Sequence, residues 1–130
     1  MSKKFYITTP IYYVNDKPHI GHVYTTTIAD ILACYHRELL KEDVFFLTGT
    51  DEHAGKVVES AQQHGVTPMD WANRNAAAFA ETFSKLGITN SDFIRTTQER
   101  HKKKVQQYFW IFKIPMIFFW VNMKACTIPG

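Results

Sequence analysis

Two histidines three positions apart, in the run Pro18-His19-Ile20-Gly21-His22, are the residues of this 130-residue chain best suited to chemistry. Imidazoles at that spacing share one face of a helix's first turn. Free backbone N–H groups and the helix dipole favour an anion there. The rings can donate to phosphate oxygens whose charge grows as an α-phosphate is attacked. Gly21 leaves the backbone open to a flat base, and Pro18 fixes the approach to the turn. Taken alone, such a pair also fits a metal site or ordinary core and surface residues.

The flanking segments favour phosphate. Phe5 to Thr9 reads as a strand, and Val23 to about Leu40 has helical period, with Ile28, Ile31, Leu32, Tyr35 and Leu39 on one apolar face. The pair therefore lies where a strand hands over to a helix, the place where open α/β sheets bind nucleotide phosphates. That placement predicts a site that handles ATP. A second constellation, Thr48-Gly49-Thr50-Asp51-Glu52-His53, follows the buried-strand run Val44 to Thr48 at the same sheet edge. Asp51 there can hold an ammonium group or a ribose hydroxyl, or it can simply cap a helix.

Lys56 to His64 reads as a helix stopped at Gly65. Thr67-Pro68-Met69-Asp70 starts another, carrying Trp71, Asn75, Phe79, Thr82, Phe83 and Leu86 on one side and ending at Gly87. Phe93 to Thr96 reads as a third strand. Thr97 is the expected cap of a last helix bearing Val105, Tyr108 and Phe112. Strands alternating with helices predict a parallel α/β sheet in one domain.

The bulk numbers agree with this class. The hydrophobic share is 45% and the charged share 21%, as in a soluble globular protein. A net charge of +3 permits a nucleotide or RNA partner without arguing for one. The run His101 to Lys104 reads as a solvated helix face. Cys34 and Cys126 have no disulfide or metal spacing, so the expected compartment is the reducing cytoplasm. The N-terminus is too short in apolar residues for a signal peptide. Phe109 to Met123 is the one membrane suspect. Lys113, Pro115 and Asn122 interrupt it, and it falls short of a span, so no membrane association is expected.

The words FYITTPIYYVNDKPHIGHVYTTTIADILACYHR, FFLTGTDEH and DFIRTTQERHKK, over residues 5 to about 108, resemble the N-terminal part of methionyl-tRNA synthetases, class I aminoacyl-tRNA synthetases. The resemblance implies a Rossmann-like catalytic fold. It also implies a two-step activity: ATP, with Mg2+, and methionine form methionyl-adenylate, and the aminoacyl group passes to tRNA(Met). By position it implies that His19 and His22, with Pro18 and Gly21, hold ATP and act on its phosphates. Ile11, Tyr13 and Asp51 fall on the methionine pocket, and an apolar thioether suits an apolar and aromatic wall. Ala54 departs from the family pattern, which has glycine there; here glycine follows at Gly55.

Beyond Trp110 the resemblance ends. Residues 1–110 are expected to form the Rossmann-like part, and residues 111–130 an out-of-frame tail. Reading Phe119-Trp120-Val121 from the third base of each codon forces leucine and glycine, and Met123-Lys124 forces glutamate. Suitable synonyms complete L-G-K-Y-E-G-M-Y, a family word. A fragment lacking the family's KMSKS loop, anticodon helices and zinc-binding cysteines is expected not to form adenylate at a useful rate by itself. Two rivals stand beside this reading: a small HxGH nucleotidyltransferase, and a non-catalytic module that binds partners through Phe109 to Trp120.

Overall fold

Pro10 sets the first interruption of the sheet, because it has no N–H to donate to a strand ladder. In the computed structural model, which describes residues 3–113, strand β1 spans Lys4–Thr8 and pairing resumes at Tyr12–Tyr13, strand β2. Between them the Thr9 N–H still donates to the Leu47 carbonyl at 3.1 Å. Both strands run parallel to β3, Asp43–Asp51, with Thr8 opposite Leu47 and Tyr12 opposite Thr50. Strand β4, Asp92–Arg95, lies along the other side of β3, again parallel, with Thr50 opposite Arg95. The expected strands are all present. The two-residue β2 is an addition too short to carry a periodic signal.

Parallel neighbours need crossover connections. Helix α1, Ile20–Cys34, continued by a π-helical turn over Tyr35–Leu39, leads from β2 to β3. Helices α2, Gly55–Gln63, and α3, Pro68–Lys85, lead from β3 to β4, and α4, Glu99–Lys113, follows. Both crossings step the same way across the sheet, so right-handed connections put α1 and α3 on one face. Tyr12 touches both: its hydroxyl lies 2.9 Å from Thr26 Oγ1 of α1, and its ring stacks on Phe79 of α3. The opposite face carries Tyr6 stacked on Phe45, both exposed.

The helix starts and stops follow local chemistry. Thr67 caps α3 by accepting the Asp70 N–H at 3.1 Å. Gly65 and Gly87, with φ of +66° and +71°, supply the left-handed turns after α2 and α3. The helix faces follow the sequence less closely. Trp71, Asn75, Phe79 and Phe83 of α3 are buried as expected, Thr82 is half-buried, but Leu86 is 52% exposed.

The apolar face read for α1 is turned outward: Ile28, Ile31, Leu32, Tyr35 and Leu39 are all exposed. Thr26, Ala29 and Ala33 face the sheet instead, with Ala29 and Ala33 packed against Phe46. Small side chains let the helix lie close on the sheet, and apolar residues on both sides of α1 left its sequence ambiguous. In α4, Val105 and Tyr108 are likewise exposed, and the side chain of Phe112 lies outside the described residues. Of the run read as a solvated face, Lys102 to Lys104 are exposed and His101 is half-buried. Cys34 is a free thiol; Cys126 lies outside the described residues.

Gly49 is the tightest point of the sheet. A Cβ there would sit 2.0 Å from the Ile94 carbonyl oxygen and 2.6 Å from its Cγ2. Relief requires β3 and β4 to separate. Gly49→Ala is expected to lower stability by about 2 kcal/mol. A urea melt followed by far-UV circular dichroism measures this, and an unchanged midpoint would mean that β4 yields freely.

Candidate functional site

Helix α1 begins at Ile20, three residues before the expected Val23, which makes His19 its N-cap. The two imidazoles cap the helix reciprocally. His19 Nδ1 accepts the Gly21 N–H at 3.1 Å, and His22 Nδ1 accepts the His19 N–H at 3.2 Å. Their rings stack with centroids 3.7 Å apart. A ring nitrogen that accepts a backbone N–H carries no proton, so each neutral imidazole keeps its proton on Nε2. The free donor of each ring is thereby assigned. Burial, next to the rings of Tyr12 and Phe79, and secondly the charge of His19 hold the His22 pKa below its ordinary 6.5. At neutral pH His22 is a hydrogen-bond donor and not a cation.

Gly21 also makes room for the first imidazole. A Cβ there would lie 3.0 Å from His19 Cε1 and 3.1 Å from its Nδ1. The space beside Gly21 that a Cβ would enter holds the edge of the His19 ring. The Gly21 N–H is spent on the same ring, so Nε2–H groups replace it as donors to an anion.

His19 and His22 share a cleft of about 300 Å³ with Ile11, Tyr12, Tyr13 and the segment Asn15 to Lys17 that leads into Pro18. The structure thus joins the histidines to Ile11 and Tyr13. Asp51 is not in that lining. It ends β3 directly opposite Tyr13 in the parallel register, and its Oδ1 accepts the His53 N–H at 3.3 Å. Asp51 does not cap α2, whose N-cap is Ala54 in extended conformation. Gly55 opens that helix in free space: a Cβ added there would meet nothing within 4 Å, so the displaced glycine relieves no crowding.

Two contributors escaped the sequence reading. Tyr12 is buried, with its ring against His22 and its hydroxyl bonded to Thr26 in the next turn of α1. Its only sequence signal was membership of the aromatic run beside Ile11 and Tyr13. Glu52, next to Asp51, turns inward until its side chain is fully buried. It takes Arg95 Nε at 2.6 Å and NH2 at 3.0 Å, Thr50 Oγ1 at 2.8 Å, and the Thr97 hydroxyl. Its own N–H donates to Thr96 Oγ1 at 2.9 Å. Burial pushes the Glu52 carboxyl up, but hydrogen bonds from Arg95, Thr97 and Thr50 and the Arg95 charge outweigh it, so the net direction is down. Thr97 therefore serves Glu52, whereas the His101 and Lys102 amides of α4 donate to the Gln98 carbonyl. A lone acidic residue beside Asp51 gave no sign of this. Its partners Arg95 and Thr97 lie more than 40 positions away.

Among the described residues no helix is long and apolar enough to cross a membrane, and no three His, Cys, Asp or Glu side chains are grouped to hold a metal ion. The suspect stretch Phe109 to Met123 lies largely outside them.

Known proteins resemble this chain in sequence and fold. The chain is 56% identical over 105 residues to a methionine–tRNA ligase of Thermotoga maritima, covering 81% of this chain and 16% of that one. It is 48% identical over 108 residues to the enzyme of the same name from Streptomyces coelicolor, covering 82% and 20%. The methionyl-tRNA synthetase of Mycobacterium tuberculosis, solved with methionyl-adenylate, superposes with a TM-score of 0.83 at 38% identity, over 86% of this chain and 22% of that one. The chain thus spans about a fifth of the length of these relatives. The family described as tRNA synthetases class I (M) matches residues 5–114. With a parallel sheet, a histidine pair at the strand-to-helix turn and a match over most of its length, this chain belongs to the class I tRNA synthetase (M) family.

Proposed function

We propose that this chain carries the substrate-activating half-site of a methionine–tRNA ligase. In the whole protein a methionine carboxylate oxygen attacks the α-phosphorus of ATP, giving methionyl-adenylate and pyrophosphate. The aminoacyl group then passes to tRNA(Met). The observation that carries this reading is the pairing of two Nε2–H donors with Ile11 and Tyr13 in one cleft. The attack spreads negative charge over the non-bridging phosphate oxygens, and His19 and His22 donate to them as it grows. Pro18 and Gly21 shape the turn that holds both rings. Ile11 and Tyr13 provide the apolar wall for the thioether, and Asp51 the anion for the ammonium group. Mg2+ accompanying the ATP substrate would neutralise part of its phosphate charge. Such an enzyme works in the cytoplasm. Residues 1–110 form the Rossmann-like part, and residues 111–130 are an out-of-frame tail that resequencing the DNA across codons 110 to 116 would expose.

Isothermal titration of the chain with methionine and with a non-hydrolysable ATP analogue tests the reading. Binding of both supports it. Nucleotide binding alone would turn it into a nucleotidyltransferase, and binding of neither would leave a non-catalytic module.

A further inference from the structure

The cleft that holds the histidine pair is poor in positive charge. The nucleotide it is proposed to take carries several negative charges, whereas the neutral His22 contributes hydrogen bonds only. Asp16 also lines the cleft and adds a negative charge. Neutral donors bind phosphate oxygens without compensating their net charge, which takes a cation. One lining side chain has a permanent positive charge: Lys17, two residues before His19 and joined to it through Pro18.

Three observations set Lys17 apart from an ordinary surface lysine. It borders the same cleft as both imidazoles. The neighbouring carboxylate does not neutralise it by contact: Asp16 Oδ1 accepts the backbone N–H of Lys17 at 2.7 Å, closing a local turn. Among the described residues, the ion pairs include Lys41, Lys85 and Lys102 but not Lys17. Pro18 restricts the backbone of the residue before it to extended conformations. That narrows where the lysine stem can start, while its four-carbon stem still lets the ammonium follow a phosphate chain.

We infer that Lys17 is a further binding residue of this site, the cation that pairs with the phosphate chain of the nucleotide held at His19 and His22. The inference rests on the proposed ATP reading of the cleft. Histidines and lysine then divide the work. The rings donate to the α-phosphate oxygens, and the ammonium compensates the charge further along the chain.

Titration of the chain with α,β-methylene-ATP and with adenosine, each at low and high salt, tests it. Lys17→Met is expected to weaken the ATP analogue about tenfold and to flatten its salt dependence. Adenosine, which has no phosphate, should bind Lys17→Met as it binds the parent chain, and Lys17→Arg should restore the ATP analogue. Undiminished analogue binding by Lys17→Met would overturn the inference and leave the histidine reading intact. Equal losses for analogue and adenosine would also overturn it, by showing a structural role. If the parent chain binds neither ligand, the reading of the cleft falls and Lys17 falls with it.

Discussion

Glu52→Ala is expected to cost the fold about 3 kcal/mol. The carboxylate has no exposure and gathers donors from Thr50, Arg95 and Thr97, so its removal strands several groups at once. Arg95 is 25% exposed and also donates to Asn73 Oδ1 at 2.6 Å, which lets it recover part of its solvation and keeps the loss at the low end of the range for broken buried pairs. Glu52→Gln, which keeps the shape and loses the charge, should cost less. The pH dependence has a defined sign. The folded carboxyl lies below its ordinary 4.5, so the unfolded chain binds the proton more readily. The stabilisation is therefore complete above the unfolded value and is lost as the pH falls through the folded one. Melts from neutral pH down into the acid range should converge for the parent chain and Glu52→Gln at the acid end. Parallel curves would mean that Glu52 is not ionised in the fold.

The second large effect concerns chemistry. If residues 5–110 are grafted in place of their counterparts in the Thermotoga maritima relative, His22→Ala is expected to slow pyrophosphate exchange by about 10²–10³-fold, the usual cost of one transition-state donor. His19→Ala should cost at least as much, because it also removes the acceptor of the Gly21 N–H and the partner stacked on His22. The loss should appear in kcat more than in the KM for methionine, since the donors meet charge that develops only during attack. A double variant should lose less than the product of the singles, because each ring holds the other in place. Full exchange activity in His22→Ala would remove the imidazoles from the mechanism.

The reach of the sequence varies from residue to residue. Phe5 to Thr9 and Val44 to Thr48 were legible as strands because their apolar and β-branched runs are uninterrupted, although β3 extends through Asp51. Thr67 and Gly87 marked the ends of α3 because capping is a local hydrogen-bond pattern. The inward face of α1 was not legible: the helix is apolar on both sides, and only contact with Phe46 selects Ala29 and Ala33. Thr97 looked like a cap because its competitor, Glu52, lies 45 positions away.

The same division runs through the site. The amino-acid order alone determined that two imidazoles meet at a strand-to-helix turn, with Ile11 and Tyr13 just upstream. Such features depend on spacing within one or two turns of chain. Tertiary structure decided which nitrogen of each ring is free, that the His19 ring lies against Gly21, that Asp51 ends β3 opposite Tyr13, and that Glu52 is buried against Arg95. Burial sets a charge state and long-range packing sets which face is hidden. Neither is a property of neighbouring residues in the chain.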